Sequence, residues 1–190
     1  EKMKMINLFP TTIYENYYKG DLSPYVDKCM KLKDKIKCGG NNWINKPYNT
    51  YDTYDLFKDK FFKKLIDFFN ENVETFSKEI GVKKVSIKTG CGWFNLYNKG
   101  DSQEFHDHNF NIISGIFFLK SNKDDAFTVF KSPINELPSD KNDENNFYTW
   151  KNYRVPPVQG KLLLFRSNLE HCVEKQMFNS NRITIALNYK

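Results

Sequence analysis

Long apolar runs are missing from this chain. Nothing in its 190 residues approaches the roughly 20 consecutive apolar positions a membrane-spanning helix needs, and no apolar signal-type segment opens it. Cysteine is scarce: Cys29, Cys38, Cys91 and Cys172 show no CxxC spacing, which argues against a paired-cysteine zinc site and makes a reduced, cytoplasmic setting the expectation. Arginine occurs only at positions 154, 166 and 182, so the net charge of +6 comes from scattered lysine. Without a dense basic block, nucleic acid is disfavoured as a partner. Histidine is as rare, at positions 106, 108 and 171 alone.

What is abundant is aromatic volume. Seventeen Phe, eleven Tyr and three Trp offset a modest aliphatic content and predict a folded chain, read as a single domain over residues 1–190. An opening strand is expected at residues 5–14. Ser23 and Pro24 then start a helix to about Lys37, stopped by Gly39 and Gly40. Between residues 55 and 80, Phe57, Phe61, Leu65, Phe68, Phe69, Val73, Phe76 and Ile80 recur at three- and four-residue steps, the pattern of one long amphipathic helix closed by Gly81. After Gly81 short strands follow, at 82–97, 111–119, 126–130, 147–155, 161–165 and 182–189. Helices first and strands afterwards predict a mainly β (α+β) fold with a sheet buttressed on one side by N-terminal helices. Residues 1–81 supply the first strand and the support, and 82–190 the β core. The polar stretch 131–146 reads as a loop at the strand rim, a candidate lid.

The histidine spacing carries chemistry. On a strand, side chains at i and i+2 leave the same face about 7 Å apart, so His106 and His108 can converge on one ion, with His171 arriving from an adjacent strand. Three neutral imidazoles suit iron, zinc, copper and nickel alike and keep coordination positions open. Solvated loop histidines and a structural His171 are the alternative.

Counting faces adds an anion site. On the last strand Arg182, Thr184, Ala186 and Asn188 share one face, and Ile183, Ile185 and Leu187 the other. A guanidinium on an inward face needs an anion, either an internal Asp or Glu or the carboxylate of a ligand. Trp93, Asn95 and Tyr97 likewise share a face, and Asn95 and Tyr97 can present an amide and a phenol to a small anion. Phe117, Phe165 and Trp93 are candidates for the pocket wall, although ordinary core packing is the favoured reading for any one of them.

The order NxY (Asn95, Tyr97), HxH (His106, His108), distal His171 and RxT (Arg182, Thr184) resembles the Fe(II)- and 2-oxoglutarate-dependent oxygenases. The segments "NLFPTTIY", "WFNLYNKGD", "HDHNFNIISGIFFL", "GKLLLFRSNLEHCV" and "RITIALN" resemble more narrowly a group of such oxygenases common in marine bacteria and their phages. The resemblance is weakest over 22–80. It implies a double-stranded β-helix, or jelly roll, with His106, His108 and His171 as iron ligands. Arg182 and Thr184 would hold the distal carboxylate of 2-oxoglutarate, with Asn95 and Tyr97 as further contacts. It also implies O2 as cosubstrate, release of succinate and CO2, and hydroxylation of a small-molecule or peptide substrate. His108 departs from the family pattern, which places Asp or Glu there; Asp107 could replace it only if the backbone bulges. Two other readings remain: a three-histidine, cupin-type dioxygenase without keto acid, which needs no arginine clamp, and a noncatalytic jelly-roll module that holds a metal for stability.

Overall fold

The computed structural model describes residues 4–40, 44–83, 85–134 and 146–190. Of the expected loop at 131–146, residues 135–145 lie outside the described residues.

The helical part is shorter and more broken than its periodicity predicts. Helix α1 (Ser23–Lys33) is started by Asp21, whose carboxylate accepts from the Ser23 N–H at 2.9 Å, with Leu22 as the N-cap residue. It stops before Lys37 because Lys35 and Ile36 both turn their N–H groups to the Leu32 carbonyl, while the Ile36 carbonyl is taken by the Tyr48 phenol. The pattern at 55–80 resolves into two single 3-10 turns, Leu56–Lys58 and Lys60–Phe62, and then helix α2 (Lys63–Glu79). Asp55 and Asp59 cause the interruption, each accepting from the N–H two residues on, at 3.0 and 2.9 Å, and so starting a fresh turn. Gly81, at φ 71°, ends α2 as expected, donating to the Lys78 carbonyl at 3.1 Å.

Ten strands follow the chain: β1 (Ile13–Tyr17), β2 (Tyr48–Asn49), β3 (Cys91–Tyr97), β4 (Gln103–His106), β5 (Ile113–Lys120), β6 (Thr128–Lys131), β7 (Asn152–Val155), β8 (Lys161–Arg166), β9 (His171–Val173) and β10 (Arg182–Tyr189). They form a six-stranded sheet, β1-β8-β5-β10-β3-β2, and a four-stranded sheet, β4-β9-β6-β7, every neighbouring pair antiparallel. This is a jelly roll with helices on the outer face of the larger sheet. The opening strand begins at Ile13, not Met5, since its pairing with β8 runs only from Ile13 to Tyr17.

Leu65, Phe69, Val73 and Phe76 of α2 are buried against Phe94, Leu96, Phe117, Ile183, Ile185 and Leu187 of the sheet. The period of four and three on the helix meets the period of two on the strands, so one face of β3 and β10 is fixed as core. Their other faces must look into the space between the sheets. That inner layer is closed by Ile116, Phe118, Phe130, Val155, Leu163, Phe165 and Leu169. Phe117 belongs to the helix-side core, its ring 5.2 Å from Phe69, and so does not line the inter-sheet cavity; Trp93 and Phe165 do. Among the described residues no helix is long and apolar enough to cross a membrane.

Phe69→Ala should destabilise the fold by about 3–5 kcal/mol through the cavity left at this contact. Urea unfolding measures it, and a loss below about 1 kcal/mol would mean that α2 does not clamp the sheet.

Candidate functional site

β10 and β3 pair so that Arg182 lies opposite Tyr97, Thr184 opposite Asn95, and Ala186 opposite Trp93. All six side chains line a narrow cavity of about 30 Å³ between the sheets, together with His106, His108 and His171. The face counting therefore places the expected residues in one cavity.

The histidines reach it by less regular means. β4 and β9 pair at Gln103 with Val173 and at His106 with His171, three steps against two, so β4 carries a one-residue bulge between those points. The bulge turns both Gln103 and His106 into the cavity, although a regular strand would send them to opposite faces. β4 ends at His106. His108 lies just beyond the strand, where its N–H donates to the Ser167 carbonyl at 2.8 Å. The i and i+2 relation thus spans the end of a strand instead of its interior. Asp107 is turned aside: its carboxylate accepts from the Asn109 main-chain and side-chain N–H groups at 3.2 and 2.6 Å, and the bulge precedes it.

One nitrogen from each of His106, His108 and His171 lies within 4.8 Å of the others. Nδ1 of His106 sits 2.8 Å from the Glu104 carbonyl, and Nδ1 of His171 sits 3.0 Å from the Leu169 carbonyl. A carbonyl only accepts, so each Nδ1 carries the ring proton and each Nε2 the lone pair, the tautomer suited to ligating a metal. Burial holds the pKa of His106 down, that of His108 down to about 4, and that of His171 well below the ordinary value. For His108 and His171 the nearby His106 adds to that effect. Three neutral imidazoles at neutral pH can hold a divalent ion.

Arg182 is 0 % exposed, and all three of its guanidinium nitrogens lack a hydrogen-bond partner among the described residues. Its charge lies 4.4 Å from the Tyr97 ring centre and 5.5 Å from that of Phe118. Burial lowers its pKa against the pull of Tyr97 and Asp125. Asp125, the acid that acts on it, is taken up elsewhere, accepting from Gln176 at 2.6 Å, Ser180 at 2.5 Å and the Asn122 N–H at 2.7 Å. An internal salt bridge therefore does not account for this arginine among the described residues. Tyr97 donates to Gln103 at 2.5 Å, and Asn95 approaches the Thr184 hydroxyl at 3.5 Å while its own carbonyl oxygen has no partner among the described residues.

Residues 91–188, just over half of the chain, match the family described as "Putative 2OG-Fe(II) oxygenase". The chain belongs to that family. This oxygenase shares its fold with a Pseudomonas putida prolyl-4-hydroxylase at 12% identity and a TM-score of 0.66, over 95% of this chain and 92% of that one. A Trichoplax adhaerens prolyl hydroxylase, solved with a hypoxia inducible factor peptide, is similar at 14% identity and a TM-score of 0.64, over 93% and 82% of the two chains. HygX from Streptomyces hygroscopicus, solved with nickel and 2-oxoglutarate, is similar at 12% identity and a TM-score of 0.58, over 94% and 82%. Curated protein sequences give no match.

Gln103 and the buried trio Ser114, Ser167 and Asn188 were not singled out by sequence reasoning. Gln103 was hidden by the bulge, whereas Asn188 was visible as the fourth residue on the Arg182 face.

The histidines of the metal-free oxygenase have folded pKa values below the unfolded one, so the unfolded chain takes up protons first as pH falls. Their contribution to stability is complete above about pH 6.5 and is lost on the way down to about 4. Urea unfolding of chelator-treated protein should show a loss of order 1–3 kcal/mol between pH 6.5 and 5 that shrinks in His108→Asn. A flat profile there would mean that the imidazoles are hydrated in the fold.

Proposed function

We propose that His106, His108 and His171 hold Fe(II), and that Arg182 and Thr184 grip the distal carboxylate of 2-oxoglutarate, with Asn95 and Tyr97 as further contacts. The observation that carries this reading is the buried arginine without an anion among the described residues, in the same cavity as three converging imidazoles. When bound there, Fe(II) with 2-oxoglutarate and O2 would supply oxidative decarboxylation to succinate and CO2, coupled to hydroxylation of a substrate.

The chain's own residues have separable tasks. The guanidinium meets a carboxylate with paired N–H donors, and the flanking Tyr97 and Phe118 rings keep water from competing for it. Arg182 and Thr184 lie two residues apart on one face of β10, so a hydroxyl stands beside the guanidinium to complete the carboxylate's shell. His106 and His171 are fixed in their tautomers by main-chain carbonyls, so they need not reorganise to act as ligands.

Substrate would approach from the opposite side. A groove of about 920 Å³ opens beside the cavity, bounded by Tyr51, Asp55, Lys58, Cys91 and Trp93. Trp93 is its shared wall with the cavity, its ring 6.1 Å from His108 and 4.8 Å from Tyr51. A groove of this size accommodates a small molecule or a peptide segment. The prolyl hydroxylases among the fold relatives support the same substrate range. Residues 1–190 would act as one oxygenase-like domain, 1–81 supporting the core at 82–190. Four free cysteines support a reduced, cytoplasmic setting. A cupin-type dioxygenase or a noncatalytic metal-holding module would leave unexplained an Arg182 with no partner among the described residues.

Aerobic incubation with Fe(II) and 2-oxoglutarate, scoring succinate across peptide and small-molecule libraries, should give turnover that His171→Ala abolishes. Arg182→Ala should raise the KM for 2-oxoglutarate by roughly 30-fold or more, since losing a buried charge pair costs about 2 kcal/mol or more. Absence of both succinate and 2-oxoglutarate binding would refute the assignment.

A further inference from the structure

The partners of the three imidazoles are not alike. His106 and His171 each face a main-chain carbonyl, which can only accept. His108 instead faces the side-chain amide of Asn188, its Nδ1 lying 3.4 Å from Nδ2. An amide can present either an N–H or, after a half-turn of its last torsion, an oxygen. Behind it, Asn188 Oδ1 accepts from the Ser114 hydroxyl at 2.7 Å, and Ser114 lies 2.8 Å from the Ser167 hydroxyl. Ser114, Ser167 and Asn188 are all buried. Because hydroxyls both donate and accept, this chain can run in either direction without leaving an unpaired group at Asn188 or Ser114. Ser167 also anchors His108 directly, its carbonyl accepting the His108 main-chain N–H at 2.8 Å.

We propose that Asn188 is a positioning residue that sets which ring nitrogen of His108 carries the proton, with the Ser114 and Ser167 hydroxyls reversing to match. The inference rests on the reading of His108 as a metal ligand. In the arrangement described, the amide N–H points to Nδ1, which places the ring proton on Nε2 and blocks that nitrogen as a ligand. On metal binding the amide turns, and Oδ1 accepts from Nδ1–H while Nδ2 donates to Ser114. Ser114 in turn donates to Ser167. The imidazole stays neutral throughout: it releases one proton from Nε2 to solvent, takes one at Nδ1, and Nε2 gains the lone pair that meets the metal. His108 stands where the family places a carboxylate, which has no tautomer to set, so this ligand alone among the three depends on a side chain that can turn.

Nitrogen-15 NMR of the wild-type protein, metal-free and loaded with Zn(II) as a diamagnetic probe, reads the tautomer, with His108→Ala assigning the signal. The expected result is Nε2–H without metal and Nδ1–H with it. Calorimetric titration with Zn(II), and with Fe(II) without air, should show Asn188→Leu binding about 10- to 100-fold more weakly. Asn188→Asp, which can only accept, should bind at least as tightly as wild type, and Asn188→Leu should have no further effect in the His108→Ala background. Wild-type protein that binds no metal would overturn the metal-centre reading and this inference together. Wild-type binding matched by Asn188→Leu, or Nδ1–H on His108 in both states, would overturn the role of Asn188 alone.

Discussion

A guanidinium packed against two aromatic rings, and given no carboxylate by the described residues, calls for an anion from elsewhere. That constraint organises the structure around Arg182. The larger sheet is anchored on one face by the apolar ridge of α2, and strict alternation along β10 then leaves Arg182, Thr184 and Asn188 no direction but inward. The acid that might have neutralised the charge, Asp125, is bound to Gln176, Ser180 and a main-chain N–H. Unpartnered buried polar groups destabilise a fold and are retained where function requires them, and here three imidazoles converge in the same cavity.

His108 alters the electrostatics of that cavity. Two imidazoles and a carboxylate would offset one of the two charges of a divalent ion, whereas three neutral imidazoles offset none. With a divalent ion held there as proposed, the cavity and Arg182 together would favour a dianion such as 2-oxoglutarate, with one carboxylate toward the metal side and the other toward the guanidinium. The same lack of a fixed negative ligand makes hydrogen bonding around His108 more consequential, because a neutral imidazole donates its lone pair from only one of two nitrogens.

Much of this was legible in the residues. The alternation in β3 and β10 assigned Asn95, Tyr97, Arg182 and Thr184 to one wall because period two survives wherever one face is pinned by a core. The helical periodicity at 55–80 was legible too, but the side chains of Asp55 and Asp59 competed for main-chain N–H groups and broke its first turns into 3-10 structure. The β4 bulge was not visible, since it depends on pairing with β9, a three-residue strand with no pattern of its own. Which side of β5 Phe117 faces was not legible, and ordinary core packing, the favoured reading, is where it lies: in β5 both faces are apolar and buried, so composition does not tell them apart.

The most direct test is the thermal stability of Arg182→Met, with Zn(II) in place of iron, measured with and without 2-oxoglutarate. If the guanidinium has no anion of its own, replacing it with an apolar side chain of similar length removes a buried charge and should leave the keto-acid-free protein at least as stable as wild type. Only the wild-type protein should then gain stability when 2-oxoglutarate is added. A variant destabilised by about 3 kcal/mol or more without 2-oxoglutarate, or one that still responds to it as wild type does, would contradict the account.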